Sequence, residues 1–273
     1  MRDETTIRLL TFVGVLATLA IAEAVRPRRR RLRRRDQRWP HNLGLVAAGT
    51  VLVRVGAPAG VVSFALVAER RGWGLLRQDH VPIAAAWATG VLALDLAVYG
   101  QHVAMHKVRW LWPLHRVHHA DVDVDVTTGV RFHPVELLLS LGLKGAVAMV
   151  VGVPTGAVVL FEVLLNATSM FSHANLRLAA GADRVARLLV VTPDMHRVHH
   201  SRDRRETDSN YGFNVPWWDR IFGTYRAAPL VPHERMALGV DGFDAPEEQR
   251  LDRLLTQPLR LSGRDAPPAR PSR

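Results

Sequence analysis

Apolar residues in this 273-residue chain are gathered into a few long runs separated by short charged segments. A membrane-crossing helix needs about 20 mostly apolar residues, and four regions meet that length. The first is Ile7 to Val25. The second extends from Asn42 to Val67, interrupted by Arg54 and by the glycines and proline of GAPAG. The third spans Pro82 to His106. The fourth, Leu137 to Met170, is long enough for two passes and carries VPTG near its middle. Proline and glycine punctuate helices, so this fourth region reads as a helical hairpin that enters and leaves on one face. After His173 the chain turns polar, and the stretch to about Ala228 is expected to form a cap of helices and loops. The closing LSGRDAPPARPSR, rich in Pro, Arg and Ser, is expected to be disordered. The pattern predicts an all-α protein: a polytopic membrane helix bundle of four to five membrane segments, one pair forming the hairpin, beneath a helical cap. It divides into N-terminal membrane helices with a basic loop (1–94), a histidine-bearing central unit (95–228) and a polar, partly disordered tail (229–273).

Charge orients this bundle. Hydrophobic residues make up 48% of the chain, yet Lys and Arg outnumber Asp and Glu by 36 to 25, so the charges must be segregated from the apolar runs. Nine arginines lie between Arg26 and Arg38, which places the first loop in the cytoplasm. The second span then runs outward, and the third returns with His102 and His106 at its cytoplasmic end. The hairpin brings His173 to the same side, so every histidine cluster lands on one membrane face. Arg70, Arg71 and Arg77 fall in the outer loop. The first apolar run, with acidic residues before it and the basic block after it, lacks the charge order of a signal peptide and reads as a retained helix. Following a membrane helix, the arginine block is expected to meet anionic lipid head groups, at roughly 1 kcal/mol per basic residue, rather than nucleic acid. The chain has no cysteine, which excludes disulfides, thiolate metal sites and a cysteine nucleophile. Any metal must be held by nitrogen or oxygen.

Nitrogen is abundant. The pentapeptide HRVHH occurs at His115 to His119 and again at His196 to His200, and HVAMH places His102 and His106 upstream. The flanks of the two pentapeptides differ, so the same chemistry demanded twice explains them better than a duplication. Residues three and four apart share a helix face, so each group can present two or three imidazoles to one metal. Neutral imidazole suits Zn, Cu, Fe and Ni. His102, His106, His115, His118, His119, His196, His199 and His200, with His173, make nine candidate ligands. A tetrahedral zinc site is filled by four. Two octahedral irons offer about twelve positions and leave roughly three for water, a bridging oxygen and dioxygen. The count therefore predicts a binuclear iron site with open positions, and its place at the membrane surface predicts a lipid-chain substrate. His41, His80 and His233 read as solvated. His133 in RFHPVE is open between ligand, support for a ligand, and structural residue. Asp95, two helical turns before His102 and inside a span where an ionisable side chain is expensive, is expected to orient an imidazole through its second nitrogen. Asn175, Asp194, Asp208 and Asn210 are further candidates for that role. Asp121, Asp123 and Asp125 read as a solvated turn.

The order HxxxH (His102, His106), HxxHH (His115, His118, His119), a lone His173 with Asn175 two residues on, and a second HxxHH (His196, His199, His200) resembles the fatty acid hydroxylase and sterol desaturase superfamily of membrane di-iron proteins. RFHPVE between the boxes and DSNYGFNVPWWDRIFGTY after the last are similar to segments of bacterial members, and the likeness covers roughly Asp95 to Tyr225. The resemblance implies a catalytic central unit in a bacterial cell membrane. There, two irons and dioxygen would hydroxylate or desaturate an unactivated C–H bond of a sterol, fatty acyl chain or ether lipid, with zinc a possible substitute in purified protein. Many members carry an aromatic before the first box and an arginine directly after its first histidine, where this chain has Gly100 and Val103; the ligands are intact, a contact near the site differs, and a different substrate is expected with it. No haem-binding pattern is visible, so electrons are expected from a separate reductase, ferredoxin or cytochrome. Two rival readings follow from the same residues. A zinc-dependent membrane hydrolase would need a general base such as the glutamate of HExxH, which neither HRVHH nor HVAMH contains. A metal-storage or transport protein would place its ligands near the middle of several spans.

Overall fold

The computed structural model describes residues 2–58, 60–78 and 80–260. Among these residues every regular element is helical, and two isolated bridges, Pro27 with Leu176 and Ser201 with Leu238, are the sole β pairings. The long helices are α1 (Arg2–Val25), α2 (Arg35–Gly56), α3 (Gly60–Arg71), α4 (Ile83–Lys107), then, after the short α5 (Trp112–His119), α6 (Pro134–Val151) and α7 (Thr155–His173). Five segments are long and apolar enough to cross a membrane: α1, α2 continued by α3, α4, α6 and α7. The second of them breaks where GAPAG interrupts the apolar run: α2 ends at Ala57 and Pro58, and α3 starts at Gly60 with a left-handed φ of 59°. Together α2 and α3 extend over 37 residues, about 55 Å at 1.5 Å per residue against a hydrocarbon layer of about 30 Å. The excess length lies at the start of α2, which stands in the cap. Arg54, in the last turn of α2, is exposed.

The hairpin forms as VPTG predicts. His133 accepts the Val135 amide at 3.3 Å and Pro134 occupies the first turn of α6, while Gly152 ends the helix at φ 77°, the conformation glycine adopts without penalty. A second glycine closes that tip: a Cβ on Gly74 would fall 2.2 Å from the Cα of Gly152, so the loop after α3 reaches the hairpin only because neither has a side chain. Around this frame α3, α4, α6 and α7 bury Val61, Ala65, Leu94, Leu141, Val158 and Phe161, and α1 lies along α7.

The cap adds α8 (Ala180–Ala186), α9 (Pro193–His199), α10 (Arg204–Thr207), α11 (Trp217–Ile221) and α12 (Leu251–Thr256). Three expectations are corrected here. Residues 229–260 are not a loose tail: Met236, Leu238, Val240, Phe243 and Leu254 are buried, and Arg116 donates to the carbonyls of Gln257 and Arg260 at 2.6 Å. The segment LSGRDAPPARPSR lies outside the described residues. Asp121, Asp123 and Asp125 are not a solvated turn but are buried, because the arginine block supplies their counter-charges. Arg38 is fully buried and donates to Asp121 at 2.6 and 2.9 Å and to Asp125 at 2.7 Å, and Asp123 takes the amides of Leu32 and Arg33. The arginine block is accordingly an internal element more than a lipid-facing one: Arg28 pairs with Asp194, Arg35 with Glu23, and only Arg26, Arg30 and Arg34 of the nine are exposed.

Candidate metal centre

The nine candidate histidines converge. His102 and His106 stand on the last turns of α4, His173 ends α7, and α5 and α9 each carry one pentapeptide. Each short helix starts from strong signals: Pro113 sits in the first turn of α5, and Thr192 caps α9 with Pro193 at its first position. The rings sort into two groups, His102, His106, His115, His119 and His199 in one and His118, His173, His196 and His200 in the other; within each, potential ligand atoms lie within 4.8 Å of one another. Neither triplet stays together. On α5, His115 and His119 share a face and a group, whereas His118 turns to the other; on α9, His196 and His200 pair and His199 crosses over. The four-residue spacing keeps two rings on one side, and the remaining ring bridges the groups.

The outer nitrogen of most rings is fixed by an acceptor. Nδ1 of His102 donates to the Tyr211 carbonyl at 2.6 Å, that of His173 to Ser169 at 2.6 Å, that of His199 to Ser209 at 2.7 Å and that of His118 to Arg131 at 3.3 Å. His115 Nδ1 meets the Glu136 carboxylate at 2.7 Å, and His106 Nδ1 lies 3.6 Å from Asp208. A carbonyl only accepts, so Nδ1 carries the proton and a neutral ring presents a bare lone pair at Nε2. Two of these lone pairs face each other, since the Nε2 atoms of His118 and His173 are 3.0 Å apart, and Nε2 atoms are also 3.1 Å apart between His173 and His196 and between His106 and His119. Nε2 of His102, His115, His199 and His200 is buried with no hydrogen-bond partner. Acceptors packed against acceptors in a buried space are costly unless a cation lies between them. The donor set therefore fits two metal ions.

Burial first, and then the neighbouring imidazoles, holds His118, His119, His196, His199 and His200 well below the ordinary value of 6.5, which keeps them in the neutral form that binds metal. The sign of the resulting pH dependence follows. A group depressed in the folded state contributes fully above its unfolded value, and that contribution is lost as pH falls. Chelator-stripped protein is expected to show a falling melting temperature between about pH 6.5 and pH 5, whereas between about pH 8 and pH 7 these groups should leave it level. Thermal scans in detergent across that range check this.

Aromatic rings close the centre to water. Phe132 stacks on His118 at 4.5 Å, Phe213 lies 4.9 Å from His102, and Trp112 covers His106 at 5.2 Å. Behind His173, Gly129 touches α7: a Cβ there would lie 2.5 Å from the Ser169 oxygen, the same oxygen that orients His173. Gly129→Ala should cost about 1–3 kcal/mol and weaken metal retention in the four-histidine group. Metal analysis after dialysis measures that loss.

The remaining candidates stand elsewhere. Asp95 does not touch a histidine; it accepts Asn214 Nδ2 at 2.7 Å and Trp218 Nε1 at 2.8 Å, anchoring the loop before α11 to α4. His133 caps α6 and bonds the Leu255 carbonyl at 3.2 Å. Asn175 is tied to both backbone groups of Arg29, and Asp194 binds Arg28 and Arg197. Asn210 adjoins His196 through its main chain, while its side chain spans Met195 and Arg226. His233, expected to be solvated, is buried 3.7 Å from Asp194; burial outweighs that carboxylate and lowers it to about 4. His80 is exposed and His41 half-buried. Sequence reasoning missed Glu136 as the partner of His115, because the two are 21 positions apart. It also missed the carbonyls of Ser169, Ser209 and Tyr211, which no side-chain pattern advertises.

A cavity of about 240 Å³ opens from this centre into the bundle, lined by His102, His115 and Glu136 at one end, by Val98, Phe132, Leu165 and Phe213 along its walls, and by Ser140, Lys144 and Asn166 at the other. The chain is 24% identical over 229 residues to ornithine lipid hydroxylase OlsE of Rhizobium tropici, covering 81% of this chain and 67% of that protein. It is 30% identical over 142 residues to human alkylglycerol monooxygenase, covering 52% of this chain and 31% of that protein. A cholesterol 25-hydroxylase-like protein of Danio rerio is 30% identical over 140 residues, 50% of this chain and 54% of that protein. The match therefore takes in about two thirds of the first relative's length and under a third of the second's. No solved structure matches. The sequence model of the fatty acid hydroxylase family matches residues 87–224, the stretch from α4 to the segment after α11 that holds all nine clustered histidines, and the chain belongs to that family.

Proposed function

We propose that the protein is a di-iron oxygenase that uses dioxygen and electrons from a separate donor to hydroxylate a C–H bond of a membrane lipid. The observation that carries this reading is the pair of imidazole groups whose bare Nε2 atoms face inward at the head of an apolar cavity. The number of rings supports two iron ions with open positions over zinc, since nine imidazoles exceed the four that fill one tetrahedral site. Two irons held by these nine rings supply, when bound, the activation of dioxygen. The chain's own residues do the rest. Glu136, Asp208 and the four carbonyls hold the rings in register, Phe132, Phe213 and Trp112 keep water away, and the cavity aligns a lipid chain beside the centre. One oxygen atom then enters the C–H bond, and the other leaves as water with two electrons from the donor and two protons from solvent.

The relatives act on an ornithine lipid and an alkylglycerol by name, which supports a chain-bearing lipid as substrate. The catalytic unit is proposed as residues 95–228, with 1–94 and 229–260 bracing it. The arginine-rich segment after α1 supports a cytoplasmic side for the centre, and the likeness to a Rhizobium tropici protein supports a bacterial cell membrane. The reading is tested by expression in iron-replete cells followed by growth under isotopically labelled dioxygen. About two irons per chain and one labelled oxygen in a membrane lipid are expected; a lipid profile identical to that of cells lacking the protein refutes it.

A further inference from the structure

The far end of the cavity carries charge where the bilayer is least able to hold it. Lys144 on α6 lies eight residues beyond Glu136, on the order of 12 Å along the helix from the residue that holds His115. Its ammonium is 3.3 Å from Glu162 Oε1 on α7, while the other Glu162 oxygen takes Arg8 of α1 at 2.8 Å. Lys144 lines the cavity with Ser140 and Asn166, whereas Glu162 does not. An ammonium has three donors, and among the described residues its one hydrogen-bond partner is this carboxylate, at a long distance and shared with Arg8. Ionisable groups inside a membrane are retained at substantial cost and mark binding or transport sites. An ion pair that served only to hold helices together would not need its lysine at the wall of a chamber.

From this placement we propose that Lys144 is an intramembrane seat for an anionic group, and that the cavity takes an acidic amphiphile with its carboxylate or phosphate on Lys144 and its chain extended toward the metal centre. The seat deepens the oxygenase reading by assigning a substrate class and an orientation: oxidation falls at a carbon well removed from the acidic group. Ser140 and Asn166 supply further polar contacts, and Glu162 sets the affinity by competing for the ammonium.

Binding of cis-parinaric acid, a fluorescent fatty acid, to the full chain in uncharged nanodiscs tests this, read by energy transfer from tryptophan. The methyl ester of the same acid is the control. The acid should bind the wild-type protein about tenfold more tightly than the ester, the difference one charge-assisted hydrogen bond makes. Lys144→Met should remove that preference, and Glu162→Gln should increase it several-fold by freeing the ammonium. Lys144→Gln serves where methionine impairs folding. Competition by palmitate against a monoacyl phosphate identifies carboxylate or phosphate as the natural group. Equal binding of acid and ester, or a shift in the same direction for the Lys144 and Glu162 variants, overturns the proposal and leaves an ion pair that only ties α6 to α7. Because the readout is binding, such a failure leaves iron content and lipid oxidation untouched, and a failure of the oxygenase reading does not alter the acid preference.

Discussion

Replacing His118 with alanine is expected to lower the oxidised lipid by more than about a hundredfold and to reduce the iron bound from about two per chain to about one. The magnitude follows from its position. Removing an outer partner of a metal ligand costs 10–100-fold in metal affinity or activity, and His118 is itself a candidate ligand, in the smaller group, where it faces His173 across 3.0 Å. Its loss leaves three rings in that group, below even a tetrahedral set. The five-histidine group does not depend on it, so partial rather than complete metal loss is the expected signature. His133→Ala is the contrast. His133 is near the same helices but caps α6 and bonds Leu255; its loss should cost about 1 kcal/mol of stability, as for other N-caps, with iron content unchanged. Equal iron content in the His118→Ala and wild-type proteins would remove His118 from the ligand set.

The second large effect lies in the cap. Arg38→Met should destabilise the protein by about 3–5 kcal/mol, the range for breaking one side of a buried ion pair. Asp121 is fully buried, and although burial opposes its ionisation, Arg38 and then Arg131 outweigh that and hold its carboxyl well below the usual range. Without Arg38, Asp121 and Asp125 are buried charges served chiefly by Arg131, Asn42, Thr127 and Thr128. The damage should reach the metal centre, because Arg131, lowered to about 10 by its burial, also offers the carbonyl that orients His118. Arg30→Ala or Arg34→Ala, at exposed positions of the same block, should change stability by less than about 0.5 kcal/mol. Melting temperatures of the three variants in one detergent separate the cases. If all three behaved alike, the block would be a solvated or lipid-facing loop after all.

Those contrasts mark where sequence is informative. The spans, the hairpin at VPTG and the helix break at GAPAG were legible because a bilayer imposes length and hydrophobicity on each crossing, and because proline and glycine interrupt helices wherever they fall. The clustering of the histidines was legible too: imidazoles at three- and four-residue spacing share a helix face whatever surrounds them. The support for those imidazoles was not. Asp95 looked like a partner for His102 on helical periodicity alone, but its carboxylate is turned to Asn214 and Trp218, over a hundred residues away. Glu136, in the same RFHPVE stretch as His133, holds His115 across 21 positions.

The arginine block shows the same limit. Nine arginines in thirteen residues looked like a head-group-binding loop because they follow a membrane helix. The three aspartates that bury Arg38 and the neighbouring backbone lie about 85 positions later in what looked like a solvated turn. By itself the sequence determined the periodic and compositional features: which segments enter a membrane, which rings share a helix face, and that any metal must be held without thiolate. Only the tertiary structure decided how the nine rings divide into two groups, which acceptor fixes each, which charges neutralise one another in the cap, and that Lys144 lines the chamber. The physical reason is range: helix periodicity and bilayer thickness act on neighbours within a segment, whereas hydrogen bonds and ion pairs between distant segments exist only once packing has brought them together.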